Sequence, residues 1–303
     1  MNKSVDPSYA VEVIRDIPYG DAFVDYREGR GPFRARKLLL DAYVPVGAPG
    51  QRAALVLAFG GAFHRGSKED DVRADETPRN TNTAAYAERF AARGYVCFSI
   101  DYRLTQEDPH PGFTPTMGPE PVPTSRIDVV RKILNLPPAS SDMLKWAQEA
   151  AIDDIACAYR FVVGEAACFQ LDPTRVAIGG YSAGGRIAVT AALAEAISPA
   201  AVVALSGVAA ASIVDAFHAS GRRKMPMFIA YGEHDLDYVG PGALAMAQRF
   251  TAARQSHQIC MLPGQSHFYS AESEFADADG TMSTLETAMA QFLARNLSVE
   301  SNP

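Results

Sequence analysis

Cysteine is scarce in this sequence: four residues in 303, Cys97, Cys157, Cys168 and Cys260, widely spaced and mostly in apolar company. With no C-x-x-C pair they read as buried free thiols rather than disulfides or a zinc site, and they point to a cytoplasmic address. No two histidines have metal-ligand spacing on a recognisable element, so neither a metal nor another cofactor is expected. Long apolar runs are missing too. No stretch of 18 apolar residues occurs, which excludes an expectation of a membrane-spanning helix. Residues Met1 to Pro7 lack an apolar core and a cleavage site, so no signal peptide is expected. Positive charge is in deficit, 28 Lys and Arg against 35 Asp and Glu, for a net charge of −7. That balance disfavours a nucleic acid or an anionic membrane as partner.

What is present is the material of a large core, 48% hydrophobic residues. It suits a single domain over 1–303, with or without an insertion. Short apolar runs alternate with helical patterns. Leu38–Tyr43, Ala54–Phe59, Tyr95–Ile100, Val176–Ile178, Ala201–Leu205, Met227–Tyr231 and Ile259–Leu262 read as strands. Helices are expected over Ala84–Arg93, closed by Gly94, over Asp153–Ala167, over Arg186–Ile197 and over roughly Met282–Leu297. The alternation predicts an α/β fold with a mostly parallel sheet and helices on both faces. A proline-rich stretch at 103–141, with Arg126–Leu136 as a short helix inside it, interrupts the rhythm. It reads either as an insert forming a lid or pocket wall, or as a surface excursion.

In an open parallel sheet, ligands bind at the carboxyl ends of the strands. Polar residues that follow strand ends are therefore the candidates. Ser182 sits in Gly180-Tyr181-Ser182-Ala183-Gly184, between a strand and a helix. A sharp turn there would present its hydroxyl, and crowding explains the flanking glycines; the plainer alternative is a serine that caps the helix. Asp235 follows the strand at Met227–Tyr231, and His267 follows the strand at Ile259–Leu262. The separations are 235 − 182 = 53 and 267 − 235 = 32 residues. His267 would accept the Ser182 proton and return it to the leaving group, a task suited to an ordinary imidazole near pKa ~6.5. Asp235 would fix the tautomer, with Asp237 and Glu233 as reachable alternatives. The backbone N–H groups of Gly61, Ala62 and Ala183 would bind the oxyanion, each donor worth ~3 kcal/mol in the transition state. Among the other histidines, His257 lies at the wrong end of the sheet, His234 lines the pocket or packs beneath it, and His110 and His218 sit in poorly defined segments. His64 could touch substrate or lie in an exposed loop.

With these motifs in place, the chain from about Leu38 to Leu297 resembles the α/β-hydrolase superfamily, in its esterase and lipase branch related to hormone-sensitive-lipase-like and type B carboxylesterase-like enzymes. The resemblance is carried by Leu40 to Pro45, Phe59-Gly60-Gly61-Ala62-Phe63, Tyr95 to Leu104, Leu171 to Ala177, Gly180 to Gly185, Gly232-Glu233-His234-Asp235 and His267-Phe268-Tyr269. It implies an eight-stranded, mostly parallel sheet and hydrolysis of carboxylic esters through an acyl-enzyme. In one respect the chain departs from the pattern. Phe59 stands where the family has a histidine before the glycines, so packing of Phe59 would have to hold that turn.

The leading expectation is an esterase acting on a small or medium, possibly aromatic, ester. Phe63, His64, Tyr181 and Phe268 are candidate substrate contacts, and Phe113, Trp146, Phe217 and Tyr238 are further aromatics for the pocket. An amidase or peptidase with the same triad is the runner-up. A ligand-binding protein on a hydrolase scaffold is the third reading, and nucleotide binding at 179–185 lacks its phosphate-loop residues. Oligomeric state is not readable, and a homodimer is one option.

Overall fold

The computed structural model describes residues 8–26, 33–69, 80–110, 116–276 and 280–298. Phe113 therefore lies outside the described residues. Eight strands, β1 (Val11–Val24), β2 (Arg34–Pro45), β3 (Arg52–Ala58), β4 (Val96–Ile100), β5 (Leu171–Tyr181), β6 (Val202–Leu205), β7 (Met227–His234) and β8 (His257–Ser266), form one sheet in the order β1-β2-β4-β3-β5-β6-β7-β8. From β4 to β8 every neighbouring pair is parallel; β2 runs antiparallel to β4, and β1 to β2.

The pleat sorts each buried strand into two faces. In β3, Val56 and Ala58 face one core, while Leu55 and Leu57 face the other. The first core is covered by α3 (Ser141–Gly164), α4 (Ala183–Ala194), α5 (Ala211–Ala219) and α6 (Val239–Ala252). The second is covered by α1 (Thr83–Ala92) and α7 (Leu285–Leu297). The remaining helix, α2 (Ser125–Ile133), lies inside the proline-rich segment. Among the described residues, no helix is long and apolar enough to cross a membrane.

Several expected elements shift. The helix foreseen over Asp153–Ala167 begins at Ser141, where the Ser140 hydroxyl accepts the Met143 N–H at 3.2 Å. Its first turns are rich in alanine and polar residues, which weakens their periodic signal. The last helix begins at Leu285, because Met282–Thr284 pair with Glu274–Ala276 and Thr284 caps the helix. The edge strand β1 went unforeseen: Pro18, Gly20 and the positive φ of Asp16 (58°) break its pattern, and an edge tolerates all three. Cys97 and Cys260 are buried thiols as expected, whereas Cys168 is exposed, in the turn after α3 beside the Glu165 carboxylate.

What positions a site is the point where the chain reverses its direction across the sheet. From β3 it moves through α1 to β4 on one side; from β5 it moves through α4 to β6 on the other. The segments leaving β3 and β5 thus part from neighbouring strands and open a crevice at their carboxyl ends.

Candidate active site

Ser182 occupies that crevice with φ 54° and ψ −114°, a conformation L-residues rarely adopt. The backbone around it is tight. A Cβ at Gly184 would come within 1.9 Å of the Ala58 carbonyl oxygen, and one at Gly180 within 2.5 Å of the Gly184 carbonyl carbon. That crowding is the physical content of the G-x-S-x-G spacing. Ser182 Oγ lies 2.8 Å from His267 Nε2, and His267 Nδ1 lies 2.5 Å from Asp235 Oδ1. A carboxylate only accepts, so Nδ1 carries the ring proton and Nε2 is left to accept from the serine. The Asp235 and His267 side chains are 1% and 6% exposed, so water does not compete for this chain of bonds. The backbone N–H groups of Leu236 (2.7 Å) and Gly232 (3.2 Å) also donate to the Asp235 carboxylate.

The alternatives lie elsewhere. Asp237 is exposed and accepts from Ser125, and Glu233 is exposed and accepts the Gly264 N–H. His234 is exposed instead of lining or underlying the pocket, because it is the last residue of β7 and points off the sheet end.

The turn after β3 closes over Ser182. Gly61 (φ 121°), Ala62 (54°) and Phe63 (61°) are three successive positive-φ residues, a strained path that its surroundings must hold. His64 does much of this. It is 2% exposed, with Nδ1 2.6 Å from the Ala62 carbonyl oxygen and Nε2 2.8 Å from Arg131 Nη1. Since a guanidinium only donates, Nε2 accepts and Nδ1 donates to Ala62. Burial, and to a lesser degree the Arg131 charge, lower the His64 pKa and keep it neutral. His64 is thus a brace for the turn, neither an exposed loop residue nor part of the cavity wall. Thr105 adds its N–H and hydroxyl to the Phe63 carbonyl at 2.8 and 2.9 Å. Phe59 stacks on Tyr102 at 4.3 Å, and the Tyr102 hydroxyl donates to the Phe59 carbonyl. Packing of Phe59 therefore holds the start of the turn.

A cleft with about 410 Å³ of free space, solvent included, opens onto Ser182. Ala62, Phe63 and Ala183 form part of its wall. Val122, Pro123, Arg126 and Ile127 of the 103–141 segment form another part, and Val208 and Tyr238 contribute as well. Gly61 sits behind Ala62 in the turn. Tyr181 does not reach the wall. Its hydroxyl donates to the His267 carbonyl, and its ring lies beside the imidazole, so it supports the histidine from below. Phe268 lies beside His267 under the Arg126 guanidinium, 5.0 Å from ring centre. Trp146 packs against Tyr26, and Phe217 is a buried residue of α5. Among the described residues no group of three or more His, Cys, Asp or Glu could hold a metal ion.

Sequence reasoning missed Ser206. Its hydroxyl donates to Asp235 Oδ2 at 2.6 Å and therefore accepts from the Tyr269 hydroxyl at 2.8 Å. Burial and the Asp235 charge raise the Tyr269 pKa, so that phenol stays a donor. Ser206 directly follows β6, and the strand-end rule applied to Leu205 would have found it. It acts through Asp235, as a positioning residue. Ser206→Ala is expected to lower kcat about tenfold, the worth of one hydrogen bond to a charged group. KM should stay within about twofold of its starting value, because Ser206 touches Asp235 and Tyr269 and reaches the imidazole through Asp235 alone. A KM that rises in step with the fall in kcat would reduce Ser206 to a packing role.

Comparison with solved structures fits this geometry. An esterase from the planctomycete Thermogutta terrifontis, Est2, is 16% identical, over 98% of this chain and 96% of its own, with a TM-score of 0.56. A truncated carbohydrate esterase from gut microbiota is 15% identical, over 97% and 99%, at 0.57. MGS-M1, an α/β hydrolase from a Medee basin deep-sea metagenome library, is 15% identical, over 92% and 98%, at 0.57. The chain has the α/β-hydrolase fold. Within it, the BD-FAE family model matches residues 143–220, from α3 through the Ser182 turn to α5. No curated protein matches the sequence. The sheet follows the fold implied by the sequence resemblance, six parallel strands with an antiparallel pair at one edge.

Proposed function

We propose that the protein is a serine hydrolase that cleaves small-molecule carboxylic esters through an acyl-enzyme. The observation that carries this is the bonded series from Ser182 Oγ through His267 to the Asp235 carboxylate, at the mouth of a cleft. In this reading Ser182 Oγ bonds to the acyl carbon as its proton passes to His267 Nε2. The carbonyl oxygen becomes an oxyanion facing the N–H groups of Ala62 and Ala183, with Gly61 as a further donor. The carbon–oxygen bond to the alcohol then breaks, and His267 returns the proton to the departing alkoxide. Water repeats the sequence on the acyl-enzyme, releasing the acid. The first helical N–H groups of α4 have no partner within the helix, which leaves Ala183 N–H for this use. That two of the compared proteins are esterases by name supports the ester preference.

The 103–141 segment serves in this reading as a wall of the substrate cleft. The substrate is a small molecule, with no nucleic acid, membrane or cofactor involved, and the address is cytoplasmic. An amidase with the same residues is the alternative. Parallel assays on p-nitrophenyl esters and p-nitroanilides separate the two: esters should be turned over at least about 100-fold faster, since their leaving group needs little protonation. A fluorophosphonate probe should label Ser182, and labelling of a different residue would overturn the assignment.

A further inference from the structure

Besides Arg126, which lies over the Phe268 ring, two polar side chains in the cleft wall have no part in that chemistry: Gln148 from α3 and Arg186 from α4. Gln148 is 1% exposed, and its Oε1 accepts from Arg186 Nε at 2.8 Å. Its Nε2 is fully buried without a hydrogen-bond partner. A buried amide donor left unpaired is costly, and such groups are few in folded proteins. Arg186 is equally short of partners. Beyond Gln148 it reaches only the Val208 carbonyl, at 3.4 Å, and forms no ion pair among the described residues. Glu120, a carboxylate whose charge it feels, is held by the Ser212 N–H and hydroxyl at 2.9 and 2.6 Å. Burial lowers the Arg186 pKa, the mark of a cation short of solvation. Arg103, buried at the start of the 103–141 segment, is by contrast paired with Asp154.

A cation and an orphan amide donor therefore stand side by side in a wall that also includes the apolar Ala62, Phe63, Ile127 and Val208 and the guanidinium of Arg126. An amide N–H with no protein acceptor beside a guanidinium with no carboxylate partner, in the cleft that holds Ser182, fits a planar, acceptor-only group. We propose that Arg186 and Gln148 form a carboxylate-binding subsite, so that the preferred substrates are esters carrying a free carboxylate. The proposal rests on the hydrolase reading above.

The test compares kcat/KM for matched esters. Mono-p-nitrophenyl glutarate against p-nitrophenyl valerate places the carboxylate on the acyl side; butyryl glycolate against ethyl butyrate places it on the alcohol side. The wild-type protein should prefer the charged member of one pair. Arg186→Gln should reduce that preference at least about 30-fold, mainly through KM. Arg186→Lys, which keeps the charge and loses the fork, should fall between. Should Arg186→Gln fail to fold, calorimetric binding of glutarate against glutaramide to the Ser182→Ala protein reads the same subsite. Equal preference within both pairs, unchanged in Arg186→Gln, or glutarate bound no better than glutaramide, would overturn the subsite while leaving ester cleavage through Ser182 intact. Undiminished turnover of p-nitrophenyl valerate by Ser182→Ala would overturn the hydrolase reading itself.

Discussion

Ser182→Ala is expected to lower kcat for p-nitrophenyl butyrate by about 10⁴–10⁶-fold, the range seen when a nucleophile is removed from a serine–histidine pair. The magnitude follows from what remains. The imidazole of His267 has the Ser182 hydroxyl as its partner at Nε2. The other nearby hydroxyl, Ser206, is committed to Asp235 and Tyr269 and does not face the imidazole. Without Oγ, His267 can at best activate water. The fold should be unaffected. Arg186 N–H still bonds to the carbonyl of residue 182, and the backbone N–H of 182 still donates to Leu205. Because alanine keeps a Cβ, it also keeps the strain of φ 54° and ψ −114°. Ser182→Gly relieves that strain, and should melt above Ser182→Ala by about 2 °C, the effect of about 1 kcal/mol in a chain of this size. Steady-state rates and thermal melts of the three proteins check both statements. Residual activity within 100-fold of wild type would point to a different nucleophile.

The parts of this architecture that could be read from the sequence are those with a local physical cause. β3 and β4 are short apolar runs closed by turns, and each appears within a residue or two of its expected limits. Helix α1 stops where Gly94 takes φ 97°. Ser182, Asp235 and His267 could be found because each follows a strand that ends at the same rim. What escaped was set by packing between distant segments. His64 looks like an exposed loop residue until Arg131, 67 residues away, is laid against its ring. Arg186 and Gln148 sit on helices whose facing turns only tertiary packing reveals. Tyr181 lies next to Ser182 in sequence, but strand alternation turns it to the opposite face of the sheet, beneath His267.

The same contrast governs stability. Asp154→Ala is expected to destabilise the fold by about 3–5 kcal/mol, the usual cost of leaving one member of a buried ion pair alone. Asp154 is 1% exposed and Arg103 4%. The carboxylate receives Arg103 Nη2 at 2.7 Å, Nε at 3.0 Å and the Arg103 backbone N–H at 2.8 Å. Arg103 then extends to the carbonyls of His110 (2.9 Å), Ala150 (3.1 Å) and Phe23 (3.3 Å). One guanidinium thus ties β1, the start of the 103–141 segment and α3 together. Removing Asp154 leaves a buried cation that those carbonyls and the half-buried Asp153 carboxylate, 3.8 Å away, can only partly satisfy. For a chain of this length the melting temperature should fall by about 5–8 °C. Replacing both residues with leucine should recover a large part of the loss, because no charge is then left buried. A fall of less than about 2 °C in the single variant would mean that water reaches Arg103. Recovery in the double variant together with slow ester turnover would separate the two roles of the pair, since the cation would then matter less for folding than for holding the cleft wall in place.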